Sequence, residues 1–126
     1  MVELSQGGAP GRLLIEGYGG GGFEVGGRDY RGSILVLPDG VHAWPVTEPG
    51  AISLESLAPL LAAASGLEVL LVGCGERAVL LPPALREALR GHGLGVDTMA
   101  TGPACRTFNV LQMEARAVAA ALIAVE

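Results

Sequence analysis

Apolar and polar positions divide the chain into an N-terminal part of short β segments and a C-terminal part in which helices and strands alternate. Glycine pairs and proline turns separate the short apolar runs of the first part, which is the pattern of strands joined by hairpins. The Gly26-Gly27 pair predicts one such turn, and Pro38-Asp39-Gly40 predicts another. The strands predicted here are residues 13–16, 23–25, 28–31, 33–37 and 41–46.

The C-terminal part predicts three helices that alternate with two strands. In order, they are a helix from Ser53 to Gly66, a strand at 67–72, a helix from Pro82-Pro83 to Gly91, a strand at 95–100, and a helix from Gly102-Pro103 to Glu126. Pro59 complicates the first helix, because proline disfavours a helix interior. That helix therefore either starts late, with Ser56 as its cap, or kinks at the proline.

This order of elements predicts a single α/β domain over residues 12–126, preceded by a flexible tail at residues 1–11. Helices that connect successive strands make those strands parallel. We therefore expect a mixed central sheet in which residues 67–72 and 95–100 are the central parallel strands, flanked by helices. The N-terminal β-hairpin layer, residues 13–31, should pack beside it.

The last predicted helix carries two stripes of side chains. Residues three or four positions apart lie on one face of a helix. The polar stripe is Cys105, Asn109, Gln112 and Arg116. The apolar stripe is Ala104, Phe108, Leu111, Ala115, Val118 and Leu122.

The start of this helix predicts a ligand pocket. Gly73-Cys74-Gly75 and Thr101 both follow predicted parallel strands, and ligands bind at that edge of an α/β sheet. The N-terminus of a helix attracts anions and lowers the pKa of a thiol in its first turn. The candidate binding residues are Gly73, Cys74, Gly75, Thr101, Gly102, Cys105, Arg106 and Asn109. Cys74 and Cys105 could also approach each other there.

The same residues also have structural interpretations that need no ligand pocket. Thr101 or Gly102 could simply cap the helix. The two cysteines could be small buried apolar residues, which is the commonest role of a free cysteine. Asn109 is an unfavourable residue inside a helix, so its side chain should bond to a partner such as a loop backbone.

Composition and charge narrow the function classes. The chain has 126 residues and a net charge of −5, and its eight basic residues are all arginines scattered along the sequence. A scattered set does not make the basic face that nucleic-acid binding needs, so we expect no nucleic-acid partner.

Two cysteines are too few for a disulfide framework. Residues 1–11 lack the features of a signal peptide, and the apolar run at 117–125 is too short to span a membrane. We therefore expect a cytoplasmic protein without a transmembrane segment.

The sequence does not place a cofactor motif or a set of metal ligands in the structural context that either would need. Residues 17–22 match G-x-G-x-x-G, but a strand follows them where a dinucleotide site needs a helix. A hairpin loop is the better interpretation of this stretch. His, Cys and carboxylate residues do not have the spacing of metal ligands. We expect no cofactor, no metal and no catalytic residue set.

Several segments, in order, resemble one protein family from about Leu13 onward. The segments are Tyr30-Arg31-Gly32-Ser33, Trp44-Pro45-Val46, Val72 to Gly75, and above all Thr101 to Leu111 with Glu114 and Arg116. The family has long had no known function, and its animal members include the mitochondrial complex I assembly factor three and the adipogenesis-associated cytosolic protein. Two positions depart from the family pattern, since Phe108 replaces a usual tyrosine and Cys74 replaces a common threonine.

The resemblance implies a three-layer α/β fold and no established catalytic activity. The first functional hypothesis is a non-catalytic interaction or assembly factor with a protein partner, for which the apolar composition predicts an exposed apolar patch. The alternative is a binder of small anionic ligands, or a thiol-dependent enzyme, that uses the pocket at the start of the last helix. A homo-oligomeric structural module is a third hypothesis.

Overall fold

The computed structural model describes residues 2–4 and 12–126, which form two β-sheets and three α-helices. The strands are β1 (Val2–Glu3), β2 (Ile15–Gly19), β3 (Gly22–Val25), β4 (Arg28–Arg31), β5 (Ile34–Leu37), β6 (Gly40–Ala43), β7 (Val69–Gly73), β8 (Gly95–Met99) and β9 (Val118–Leu122). The helices are α1 (Ala58–Ala62), α2 (Pro83–Gly91) and α3 (Thr101–Met113). Two 3-10 turns, Pro49–Ala51 and Ala64–Gly66, flank α1.

The first sheet is antiparallel, with the order β1-β2-β3-β4. Its two hairpins turn at Gly20-Gly21 and Gly26-Gly27, where all four glycines have positive φ. Such turns match the twist of the flanking strands but strain residues other than glycine. The G-x-G-x-x-G stretch is therefore part of a hairpin, which confirms that interpretation of residues 17–22.

The second sheet is mixed, with the order β6-β5-β9-β7-β8. Strands β7, β8 and β9 are parallel, and β5 is antiparallel to both β9 and β6. Both faces of this sheet are covered. Ile34, Val36, Ala120 and Leu122 enter one core cluster, and their neighbours in sequence enter the other. Continuous apolar runs are typical of strands buried on both faces.

Helices α1 and α2 cover one face of the mixed sheet, and α3 with the first sheet covers the other. Leu60 of α1 and Leu89 of α2 pack with Leu35 and Val72. On the opposite face, Phe108 of α3 packs with Phe23 of the first sheet. The prediction of a three-layer α/β domain with a mixed sheet and a hairpin layer is confirmed.

The C-terminal helix is the main correction to the sequence prediction. Helix α3 ends at Met113, and the residues predicted to continue it form β9. Ala115 adopts a positive φ of 59° and reverses the chain. Its N–H donates to Gln112 O, and the N–H of Arg116 donates to Leu111 O, which is the Schellman pattern of a helix end.

This ending changes the strand order as well. Strand β9 lies between β5 and β7, so it is a central strand, whereas β8 lies at the edge of the sheet. The prediction that residues 95–100 form a central strand is therefore wrong. The apolar stripe predicted to continue along the helix through Val118 and Leu122 is instead divided between α3 and a strand.

Two smaller differences concern the first helix and the N-terminus. Helix α1 starts late, as one alternative predicted, with Pro59 in its first turn, but Leu57 and not Ser56 is its cap. Ser56 instead exchanges hydrogen bonds with Ser53 in the turn before the helix. In the predicted N-terminal tail, Val2–Glu3 pairs with β2 as a short edge strand, and residues 5–11 lie outside the described part of the chain.

Candidate functional site

The carboxyl ends of β7 and β8 lie at one edge of the mixed sheet, as the sequence predicts. The end of β9, which was predicted as helix, lies at the same edge, and Thr101 joins the three strands. The Thr101 hydroxyl accepts a hydrogen bond from Gly75 N at 3.0 Å and donates to Ile123 O at 2.7 Å. The backbone N–H of Thr101 donates to Gly75 O at 2.8 Å. Because the buried hydroxyl both accepts and donates a hydrogen bond, Thr101 holds this edge together.

The space expected for a pocket beside Gly73 and Gly102 is filled by neighbouring side chains. A Cβ added to Gly73 would lie 3.0 Å from the Thr101 Cα and 2.9 Å from a Leu122 methyl. A Cβ added to Gly102 would lie 2.5 Å from the Tyr18 hydroxyl. Both glycines therefore permit close packing, which is a structural role.

Arg106 lies on the exposed side of the same helix start. Its Nη1 donates to the Tyr18 hydroxyl at 3.3 Å, so the guanidinium lies over the first sheet. The structure brings Arg106, Gly102 and Tyr18 together. Tyr18 was not among the residues predicted for this site, because its placement depends on how the first sheet packs against α3. Anion binding at this helix start stays a prediction.

The two thiols do not meet. Cys74 is buried in the core under α1 and α2, and Cys105 is buried in the core under the first sheet. Burial raises the pKa of Cys105 from 9.0 to about 12, although the neighbouring Arg106 charge acts in the opposite direction. The expectation that the helix start would lower this pKa is wrong, because desolvation outweighs the helix dipole. A protonated, buried thiol is a poor nucleophile.

Asn109 has a structural partner. Its Oδ1 accepts from Ile15 N at 2.8 Å, and its Nδ2 donates to Ile15 O at 2.8 Å. One turn later, Gln112 Nε2 donates to Leu13 O at 2.9 Å. Asn109 therefore has the side-chain partner that the sequence predicts, although the partner is the backbone of β2 and not of a loop. Asn109 and Gln112 together fasten the chain at the start of β2.

An exposed apolar surface lies on the other side of the molecule, and the site residues predicted from the sequence do not include it. We define the Leu80 surface as Leu54, Val79, Leu80, Pro82, Ala84 and Leu85. Leu80 is 70% exposed, although Leu81 beside it is only 2% exposed. A shallow hollow of about 400 Å³ between Leu54 and Leu85 adjoins this loop. The sequence signal for this surface is the apolar run Val79-Leu80-Leu81 before Pro82-Pro83, and it does not tell which of the two leucines is exposed.

Two further properties concern membranes and metals. Over residues 2–4 and 12–126, the helices are all too short or too polar to cross a bilayer. Within the same residues, His, Cys, Asp and Glu side chains do not gather in groups of three that could hold a metal ion.

Comparison with known proteins identifies the family. A family described as "Protein of unknown function (DUF498/DUF598)" matches residues 15–123. The chain belongs to this family. The match runs from the first residue of β2 to the residue after β9, so it includes the mixed sheet, all three helices and the first sheet except β1.

Relatives in animals carry a functional name. A Xenopus tropicalis protein named NADH dehydrogenase (ubiquinone) 1 alpha subcomplex assembly factor 3 is 37% identical over 111 residues. The alignment covers 88% of this chain and 61% of the relative, so the chain spans about three fifths of that protein's length.

Solved structures share the fold. A Bartonella henselae protein, described as an outer membrane protein, is 44% identical with a TM-score of 0.87 and covers 93% of this chain and 98% of its own. A Bordetella pertussis protein, described as a Mth938-like domain, is 31% identical with a TM-score of 0.81. That alignment covers 97% of this chain and 92% of the other. These solved structures confirm the fold class.

Proposed function

We propose that this protein is a non-catalytic assembly factor that binds a partner protein through the Leu80 surface. The observation that carries the proposal is the high exposure of Leu80, in the loop that leads into Pro82 at the wall of a mainly apolar hollow. The name of the Xenopus tropicalis relative, an assembly factor of NADH dehydrogenase, supports the same class of function. The elevated pKa of Cys105 argues against the alternative of a thiol-dependent enzyme.

The chemistry of the Leu80 surface suits an apolar side chain of a partner. Leu54, Pro82, Ala84 and Leu85 line the hollow, and Leu80 projects from the adjoining loop. Fully burying one leucine side chain stabilises a complex by about 1.5–3 kcal/mol. A few such contacts at the centre of an interface carry most of the binding energy.

The loop that carries Leu80 is held in place before any partner binds. Arg86 Nε donates to Leu81 O at 3.1 Å, and Cys74 Sγ lies 3.6 Å from Val79 O as a weak donor. Leu81 itself is buried in the core. A preordered loop loses little conformational entropy on binding, which favours its use as a binding surface.

Affinity capture with matched variants tests the proposal. The wild-type chain, Leu80→Ser and Val110→Ser would each be used as bait in native extract, with bound proteins quantified by mass spectrometry. Val110 is 52% exposed on α3, so its substitution removes a comparable exposed apolar side chain from another surface.

We expect wild type and Val110→Ser each to recover one stoichiometric partner. Leu80→Ser should bind that partner at least about tenfold more weakly, since burial of one leucine side chain accounts for that much affinity. Recovery of NADH dehydrogenase subunits would connect the partner with the function named for the Xenopus tropicalis relative. Equal recovery by all three baits, or recovery of the bait alone, would contradict the proposal.

A further inference from the structure

A second hollow lies at the opposite edge of the mixed sheet, where β9 begins. Its volume is about 310 Å³, which is at the lower end of the range for ligand pockets. The polar lining is Arg12, Gln112 and Arg116, and Pro38 with Val118 supplies apolar wall. The two charged side chains that line it are both arginines, although the whole chain has a net charge of −5.

Arg12 is held at this hollow by two hydrogen bonds. Its Nη1 lies 3.0 Å from Gln112 Oε1 and 3.0 Å from Arg116 O. Gln112 is itself 8% exposed, and its Nε2 donates to Leu13 O. A buried amide therefore orients the guanidinium, and both contacts use a single nitrogen of the five-donor group.

Arg116 reaches the same hollow from the end of α3. The Schellman turn at Ala115 reverses the chain immediately before it. Its Nη2 lies 3.6 Å from Glu68 Oε2, and both side chains are about half exposed, at 47% and 63%. An exposed ion pair of this length is weak, so Glu68 competes little with a ligand for the guanidinium.

We propose that this hollow is a binding site for a small ligand that carries a carboxylate or phosphate group. Arginine binds both oxyanions through two parallel N–H donors, and two arginines at one hollow can hold a single anionic group from two sides. The apolar wall at Pro38 and Val118 would contact the carbon portion of the ligand. This site goes beyond the proposed function, because it lies at the other end of the parallel strands from the Leu80 surface.

A titration of the purified protein with inorganic phosphate and with succinate tests the proposal. Backbone amide chemical shifts would be followed by NMR for wild type, Arg12→Gln, Arg116→Gln and Arg106→Gln. The last variant removes the arginine at the start of α3, where an anion is also a sequence-based expectation. Thermal unfolding of each variant, measured in parallel, shows whether it is folded.

We expect saturable shifts around residues 112–118 with at least one probe, and at least about tenfold weaker binding in folded Arg116→Gln or Arg12→Gln. Arg106→Gln should bind as wild type does. Binding of phosphate alone or of succinate alone would support the proposal and identify the oxyanion. The proposal is overturned if neither probe gives saturable shifts, if both variants at the hollow bind normally, or if only Arg106→Gln loses binding.

Discussion

Asn109 and Ile15 exchange two hydrogen bonds of 2.8 Å each, which join α3 to the start of β2. The amide of Asn109 meets both backbone groups of Ile15, as a neighbouring strand would. Ile15 is fully buried, so water cannot replace either bond. This pair fixes where the first sheet lies on α3, and therefore which side chains it buries.

Asn109→Ala should destabilise the protein by about 2–4 kcal/mol, because it leaves a buried N–H and a buried C=O without partners. Urea unfolding followed by circular dichroism would measure the change. Val110→Ala, at the next and exposed position of the same helix, is the control and should change stability by less than about 0.5 kcal/mol. An equally small effect at Asn109 would show that this pair does not hold the first sheet.

Gly73→Ala should destabilise by about 1–3 kcal/mol, because the added methyl would press on the Thr101 backbone and Leu122. Gly66→Ala is the matched control, since its added Cβ has nothing within 4 Å. That substitution should be neutral or stabilise by up to about 1 kcal/mol. If Gly73→Ala is as mild as Gly66→Ala, the edge near Thr101 contains the free space that the sequence predicted.

Cys105 should make stability fall at alkaline pH. The ordinary pKa of a cysteine thiol, 9.0, applies to the unfolded chain, and burial raises the pKa of Cys105 to about 12 in the folded protein. Between these values the unfolded chain releases the proton and the native chain keeps it, so the free energy of unfolding decreases by up to about 1.4 kcal/mol per pH unit. The slope falls to half its maximum at about pH 9 and vanishes well below that pH, where both states keep the proton.

The comparison between wild type and Cys105→Ala isolates the thiol, because both proteins share every other titrating group. Urea unfolding at several pH values from about 8 to 11 should show a steeper loss of stability in wild type. Parallel curves for the two proteins would mean that the Cys105 thiol ionises in the folded state as readily as in the unfolded one.

Ala115→Gly should stabilise the protein by about 0.5–1 kcal/mol, since glycine adopts the left-handed conformation without the clash of a Cβ. The midpoint of thermal unfolding should rise accordingly. Ala88→Gly, inside α2, is the opposite control and should destabilise by about 1 kcal/mol. A lower midpoint for Ala115→Gly would contradict the helix end described for α3.

Elements marked by local chemistry were predictable from the sequence. Gly26-Gly27, Pro82-Pro83 and Gly91 each impose a conformation on their own few residues, and the turn and helix limits there are confirmed. The meeting of Gly75 and Thr101 followed from the topology, because residues after neighbouring parallel strands share one edge.

Strand β9 was not predictable in the same way. Residues 117–125 are continuously apolar, which fits a buried strand as well as a helix, and their alanines favour the helix. The usual helix-ending glycine is absent, because Ala115 takes the left-handed position. Only the pairing of β9 with β5 and β7 selects the strand.

The chemistry of the candidate sites depended on contacts between distant residues. Cys105 is buried because the first sheet covers α3. The sequence predicted a hairpin layer beside the mixed sheet, but not that this layer packs on α3. Arg12 and Arg116 meet although 104 positions separate them. Local patterns predict secondary structure, but the packing of the first sheet on α3 decides that Cys105 is buried and that Arg12 and Arg116 share a hollow.

Hydrogen–deuterium exchange on the captured complex tests the central proposal most directly, because it locates the partner on the protein. We expect binding to protect amides in residues 76–85 and 53–57, around the Leu80 surface, while the exposed face of α3 exchanges as in the free protein. Protection confined to α3, with residues 76–85 unchanged, would contradict a partner site at Leu80.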